Sequence, residues 1–256
     1  NEAPKKQIDW EKDFSQNIPD WSVFAAKELV STGKVELSAD SEGVIRAGGE
    51  NPDIATYTIV GATSLKKITG FRLTTVKVNK KGAGRADNGN FVINQFRAEL
   101  LLSDGRTQPI PFKAVEASHS QNNFDVGNTI IDGKIGSNSG WAVSPKINQD
   151  NFAIFASNPI SVPLDAKIRI TIVQSNNKKH TLGGLRLEVT ESSSSSVFNF
   201  IPSTVTAALN VSVNNRSEKQ IAIIQNWFLS NVDEQGEALQ KKLNDHIKLA
   251  PKYPGP

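Results

Sequence analysis

Residues 84–100 read GRADNGNFVINQFRAEL, and the passage from a polar Gly/Asn turn into a strand decides the fold class. Phe96, Ala98, Leu100 and Leu102 fall on one side of an extended chain, and Arg97, Glu99 and Ser103 on the other. That period of two marks a strand with one buried face. Asp104-Gly105 then supplies a turn and the chain returns through Ile110 and Phe112, so the unit reads as a hairpin.

Outward from this stretch, short strand candidates alternate with Gly, Asn, Asp and Pro clusters: residues 34–37, 44–47, 55–60, 68–78, 91–102, 110–117, 152–156, 166–173 and 181–189. Ile168, Ile170 and Ile172 oppose Arg169 and Thr171, while Leu185, Leu187 and Val189 oppose Arg186 and Glu188, which gives each strand one wet face. The expectation is a mostly β protein, an antiparallel β-sandwich or jelly roll with a short C-terminal helical appendage. The boundaries follow composition: a lead-in segment at 1–20, the sandwich at 21–191, a Ser-rich linker with a short irregular segment at 192–215, and a helical tail at 216–256. In the tail, Ser217 and Gln220 fit a capping box, followed at helical spacing by Ile221, Ile224, Trp227 and Phe228. A second helix is expected at 233–248, with Leu239, Leu243 and Ile247 on one face.

A chain of 256 residues has room for one sizeable core and an appendage. Its 29 basic and 26 acidic residues are scattered and leave a net charge of +3, so charge makes no case for a nucleic-acid partner. Without cysteine there are no disulfides, no thiolate metal sites and no covalent haem attachment in this chain. Methionine is also absent, and the chain is therefore read as a fragment of a larger protein. No run is long and apolar enough for a membrane span, and the opening NEAPKKQIDW has no signal-peptide core.

Candidate sites cluster in the polar loops. Asp87, Asn88 and Asn90 carry oxygen ligands of the type a structural calcium takes, and the same residues are turn-formers that bond to their own backbone. Arg85 is placed to orient a sugar or carboxylate, or to pair with an acid beside the loop. Trp141 offers an aromatic face for a sugar ring, or a core side chain. The loops HSQNNFD (119–125) and GSNSGW (136–141) supply Asn122, Asn123 and Asn138 as hydrogen-bonding amides, and His180 either caps a sheet edge or touches a ligand. His119 and its flanking serines sit in no catalytic frame, and Glu116, Asp125 and Asp132 show no spacing of a glycosidase pair. The chain is accordingly read as no enzyme.

Ile131-Asp132-Gly133 followed by Gly140-Trp141 resembles the Asp-Gly turn and tryptophan of discoidin-type, galactose-binding-like domains. The series Tyr57-Thr58-Ile59, Ile68-Thr69-Gly70-Phe71-Arg72-Leu73, GRADNGNFVINQF, IDG with GWAV, His180-Thr181-Leu182-Gly183 and Leu185-Arg186-Leu187 extends the likeness. In that order it is similar to the central region of planctomycete-type multidomain proteins of unknown function that carry a cytochrome-c-like domain. The resemblance implies a discoidin-like sandwich inside an exported protein, periplasmic or at the cell surface, with no reaction to carry over. Its expected role is a non-catalytic carbohydrate-binding or adhesion module for a polysaccharide or glycan. The alternative is a structural module docking neighbouring domains or subunits of the parent protein.

Overall fold

The computed structural model describes residues 3–130, 139–176, 178–193, 198, 203–233, 236, 238 and 242. In chain order the elements are α1 (Ala3–Asn17), β1 (Ser22–Val23), β2 (Ala25–Ser31), β3 (Val35–Ala39), β4 (Val44–Gly49), β5 (Ala55–Ala62), β6 (Lys67–Thr75), β7 (Gln95–Leu101), β8 (Thr107–Pro109), β9 (Phe112–Ala117), β10 (Phe152–Ser161), β11 (Lys167–Gln174), β12 (Gly184–Thr190), α2 (Ser203–Leu209) and α3 (Glu218–Asn231). One sheet has the order β3-β4-β12-β6-β10-β9, with β1 also paired to β12; the other has the order β2-β5-β11-β7-β8. Every pairing is antiparallel, and the two sheets form a β-sandwich.

The inner faces come from the alternation read in the sequence. On β11, Ile170 lies opposite Ile59 and Ala98, and Ile172 opposite Tyr57 and Phe96. In the other sheet, Leu187 faces Leu73 and Val189 faces Phe71 across the β12–β6 pair. These side chains belong to a single buried cluster, so a one-residue slip in any of the strands would turn its apolar set out to water. The sheets meet through aromatics. Phe96 of β7 stacks on Phe155 of β10 with centroids 3.9 Å apart and planes 12° apart. Phe112 lies 5.4 Å from Phe155, and Phe71 packs edge-on to Phe112 at 5.9 Å.

Two details differ from the sequence reading. The hairpin after Gly105 pairs only as far as β8, where Pro109 lies opposite Glu99. The Ile110 N–H still bonds the Ala98 carbonyl at 2.9 Å, but the chain then changes sheets and β9 pairs with β10. Pro109 and Pro111 bracket the crossing, and a residue without an N–H cannot continue a ladder on both sides. The outer face of β12 is also less wet than expected, since Glu188 is only 5% exposed. Arg72, its direct cross-strand neighbour, grips its carboxylate through two hydrogen bonds of 2.7 Å. The ring of Trp21 lies 4.8 Å from the Arg72 guanidinium and covers the pair.

The chain divides into two compact units, Pro19–Phe198 and a helical unit made of Asn1–Ile18 with Asn199–Pro256. The segment at 1–20, read as a lead-in, is therefore mostly helix α1, and it packs in the helical unit. Trp10 stacks on Phe14 at 5.4 Å and meets Phe228 of α3 at 5.5 Å. Arg216 and Glu11, both largely buried, pair at 2.5 Å. The capping box is formed: the Gln220 N–H donates to Ser217 Oγ, and the Ser217 N–H donates to Gln220 Oε1 at 2.9 Å. On α3, Ile224 and Phe228 are buried, whereas Ile221 is exposed and Trp227 half-buried. Most of the helix expected at 233–248, and most of the serine run, lie outside the described residues.

Phe155→Ala removes the central ring of the inter-sheet contact and is expected to cost about 3–5 kcal/mol in chemical denaturation. Leu164→Ala, at a fully exposed position, should stay within about 0.5 kcal/mol of the parent.

Candidate functional site

Antiparallel pairing brings the ends of β4, β6, β9 and β11 and the starts of β5, β7, β10 and β12 to one end of the sandwich. The loop residues 50–54, 76–94, 118–130, 139–151, 175–176 and 178–183 therefore gather there. They are stitched backbone to backbone. Ile93 and Trp141 exchange both hydrogen bonds at 2.9 and 2.8 Å, Val92 N–H donates to the His180 carbonyl at 2.9 Å, and Arg85 N–H donates to the Thr181 carbonyl at 2.8 Å. Gln121 N–H donates to the Ala142 carbonyl at 2.8 Å. Asn51 adds a side-chain clasp, donating to the carbonyls of Arg85 and Lys179 at 3.0 and 3.1 Å and accepting from Thr181 Oγ1 at 2.7 Å.

Trp141 is fully buried under these loops, edge-on to Phe91 at 5.3 Å, and its indole N–H donates to the His119 carbonyl at 2.8 Å. An external sugar ring cannot reach it, so of its two readings the structure selects the core side chain. The chain approaches this plug closely. Gly140 has φ +133°, and a Cβ there would sit 2.3 Å from the Ile93 carbonyl oxygen, so the exchange of bonds with Ile93 requires glycine.

Asn90, 4% exposed, ties the loops together with its side chain. Its Nδ2 donates to Gln121 Oε1 at 2.8 Å and its Oδ1 accepts from the Val143 N–H at 3.2 Å. Asn88 Oδ1 accepts from the Asn90 N–H at 3.0 Å, inside a turn closed by Gly89 N–H to the Ala86 carbonyl at 2.8 Å. The amide oxygens proposed as calcium ligands thus already serve backbone N–H groups, while the Asp87 side chain is exposed. Among the described residues, no group of three or more His, Cys, Asp and Glu side chains is placed to hold a metal ion. The geometry is that of a turn with a buried tie.

Over this tie lies a pocket of about 220 Å³ lined by Asn88, Asn90, Val92, Gln121, Phe124, Ser144, Asn176, Lys178 and His180. Of the residues singled out in the sequence, Asn88, Asn90 and His180 line it. Arg85 does not: its Nη2 donates to the Gly49 carbonyl at 2.7 Å. The guanidinium also bears on Tyr57, whose phenol burial pushes above its ordinary value against the opposing pull of Thr181, Gln174 and Arg85. The Tyr57 hydroxyl donates to the Leu182 carbonyl at 2.8 Å. Asn122 and Asn123 are exposed at the tip of a turn in which Phe124 N–H reaches the Gln121 carbonyl at 2.9 Å and Asn123 adopts φ +67°. They shape the turn whose flanks, Gln121 and Phe124, line the pocket. Asn138, with Asp132 and Gly133, lies outside the described residues.

Val92, Ser144, Asn176 and Lys178 were not singled out in the sequence, and Gln121 and Phe124 entered only as members of the loop HSQNNFD. Their signal was weak, because a lining residue is fixed by which loops share an end of the sandwich, and that is a property of strand order. Only the density of amides in HSQNNFD and in SNNKKH (175–180) pointed there.

No family model matches the chain, and no curated protein matches it. Among solved structures, a chain of the Streptococcus pneumoniae β-galactosidase BgaA is similar over 67% of this chain and 99% of that one, at 10% identity and a TM-score of 0.30. The enzymatically active domain of tailspike protein 4 of bacteriophage CBA120 is similar over 69% of this chain and 20% of that one, at 15% identity and a TM-score of 0.23. With both TM-scores below 0.5, the sandwich rests on its own strand pairing.

Asn90→Ala leaves the Val143 N–H and Gln121 Oε1 without their partner, and denaturation should show a loss of about 1–3 kcal/mol. Chelation with EDTA should leave the melting temperature of the full chain unchanged. A fall reversed by added calcium would instead identify a native cation.

Proposed function

We propose that this chain is a non-catalytic carbohydrate-binding module, with a sandwich of the galactose-binding, discoidin-like type, carried by a larger exported protein at the periplasm or cell surface. The observation that carries the reading is the pocket at the loop end. Its volume of about 220 Å³ is below the roughly 300–1,000 Å³ of sites for drug-sized molecules, and accords with a single sugar ring. Sugar hydroxyls need convergent donors and acceptors, and the lining offers side-chain amides, a hydroxyl and an imidazole, with Phe124 and Val92 as apolar surface. The loops that present these groups are held by the core, which lowers the entropic cost of recognition.

The lining contains neither aspartate nor glutamate, so the acid and base of a glycoside hydrolase have no counterpart among these side chains. This supports a binding role over a catalytic one.

A second reading, docking of neighbouring domains of the parent protein, is favoured by one feature of the helical unit. Ile8, Val213, Ile221 and Leu229 there keep 40% or more of their surface exposed.

Affinity electrophoresis through gels containing plant and microbial polysaccharides separates the two. The sugar reading expects retardation on at least one glycan, abolished by Gln121→Ala with His180→Ala. Free migration on every glycan, together with capture by the parent's flanking domains, would establish the second reading instead.

A further inference from the structure

The pocket has a polarity that its composition hides, and it follows from which groups can only donate. The Val143 N–H can only donate, so the Asn90 end facing it is the oxygen, at 3.2 Å. The other end of Asn90 is then its NH₂, which donates to Gln121, fixing the Gln121 end it meets as Oε1 at 2.8 Å. The free end of Gln121 is therefore its NH₂. The same reasoning holds for Asn88: the Asn90 N–H can only donate, so Asn88 Oδ1 accepts it at 3.0 Å and the NH₂ is left for a ligand. Asn88 Oδ1 and Gln121 Oε1 each already accept a hydrogen bond from the protein, which leaves the NH₂ group as the uncommitted end of both side chains.

Charge adds to this asymmetry. Lys178, exposed at the rim, is the one residue of fixed charge in the lining. Asp87 and Asp125 neighbour the lining residues in sequence but do not line the pocket, and Asp125 Oδ1 is turned to the Gly127 N–H at 2.7 Å. His180 also lines the pocket, and its Nδ1 is buried without a hydrogen-bond partner. The spare NH₂ groups of Asn88 and Gln121 and the ammonium of Lys178, in a lining without a carboxylate, match an acceptor-rich anion better than a hydroxyl, which must both donate and accept.

We infer that the pocket takes a sugar bearing an anionic oxyacid group, either the carboxylate of a uronic acid or a sulfate ester, with Lys178, Gln121 and Asn88 donating to its oxygens. This rests on the carbohydrate-binding reading above and narrows it. Charge-assisted hydrogen bonds to such a group exceed those to a neutral hydroxyl, so the acid is the preferred occupant.

The test is a titration of the full chain, by calorimetry or by shifts of its side-chain amide resonances, with four probes: D-galacturonate, its methyl ester, galactose 6-sulfate and D-galactose. Galacturonate or the sulfate should bind about tenfold or more tightly than the ester and galactose, with affinity falling as salt rises. Whichever of the two acids binds tighter identifies the source of the anion. Lys178→Gln, an exposed change with no fold to break, should bring galacturonate and the sulfate down to the affinity of the neutral sugars; an undiminished preference for the acids would count against Lys178 as the charged contact. Equal or tighter binding of the neutral sugars would overturn the anionic assignment and leave the carbohydrate reading standing. No binding of any probe, charged or neutral, would remove both.

Discussion

The burial of Trp141 at one end of the sandwich is the constraint around which the loops are arranged. A side chain of that size, with its N–H spent on the His119 carbonyl, must be enclosed on every side, and the sheets close only part of the volume. The loops supply the rest, so their backbone is fixed by the same exclusion of water that fixes the strands. Gly140 allows the chain to reach Ile93, the exchange of bonds with Ile93 aligns the two longest loops, and the Asn90 amide then locks them to Val143 and Gln121. A buried amide satisfied at both ends costs little to keep and much to disturb, which gives these polar loops the stiffness of core.

This arrangement separates what stabilises the end of the sandwich from what a ligand would meet. Trp141 and Arg85, the side chains most inviting for sugar recognition in the bare sequence, are committed inward. Arg85 donates to the Gly49 carbonyl. Among the groups left outward are the NH₂ ends of Asn88 and Gln121, whose oxygens accept from within the protein, so their donor character is set by the interior bonds. Recognition would thus be an indirect product of packing: the core chooses the orientation of Asn90, and Asn90 chooses that of Gln121.

Much of the sandwich was legible in residue order alone. The alternation of Ile168, Ile170 and Ile172 fixes which face of β11 is buried, and Ser217 with Gln220 marks the start of α3, because both signals are local. The sheet change after β8 was less visible, although Pro109 and Pro111 announce that a ladder must break there. Helix α1 was missed because its apolar side chains, Trp10 and Phe14, are few and find their partner more than two hundred residues away at Phe228. The turn role of Asn88 could be read from its neighbours. The tie made by Asn90 could not, since its partners lie on a loop that only strand order brings near.

If the loops are extensions of the core, their amides must open with it. Native-state hydrogen exchange on the full chain is the direct measurement, comparing the N–H groups of Ile93, Trp141 and Val143 with those of Ile170 and Leu187 in the sheets. Exchange of all five at the free energy of global unfolding is the expected result. Rapid exchange of Ile93, Trp141 and Val143 while the sheet amides stay protected would contradict a core-supported loop platform.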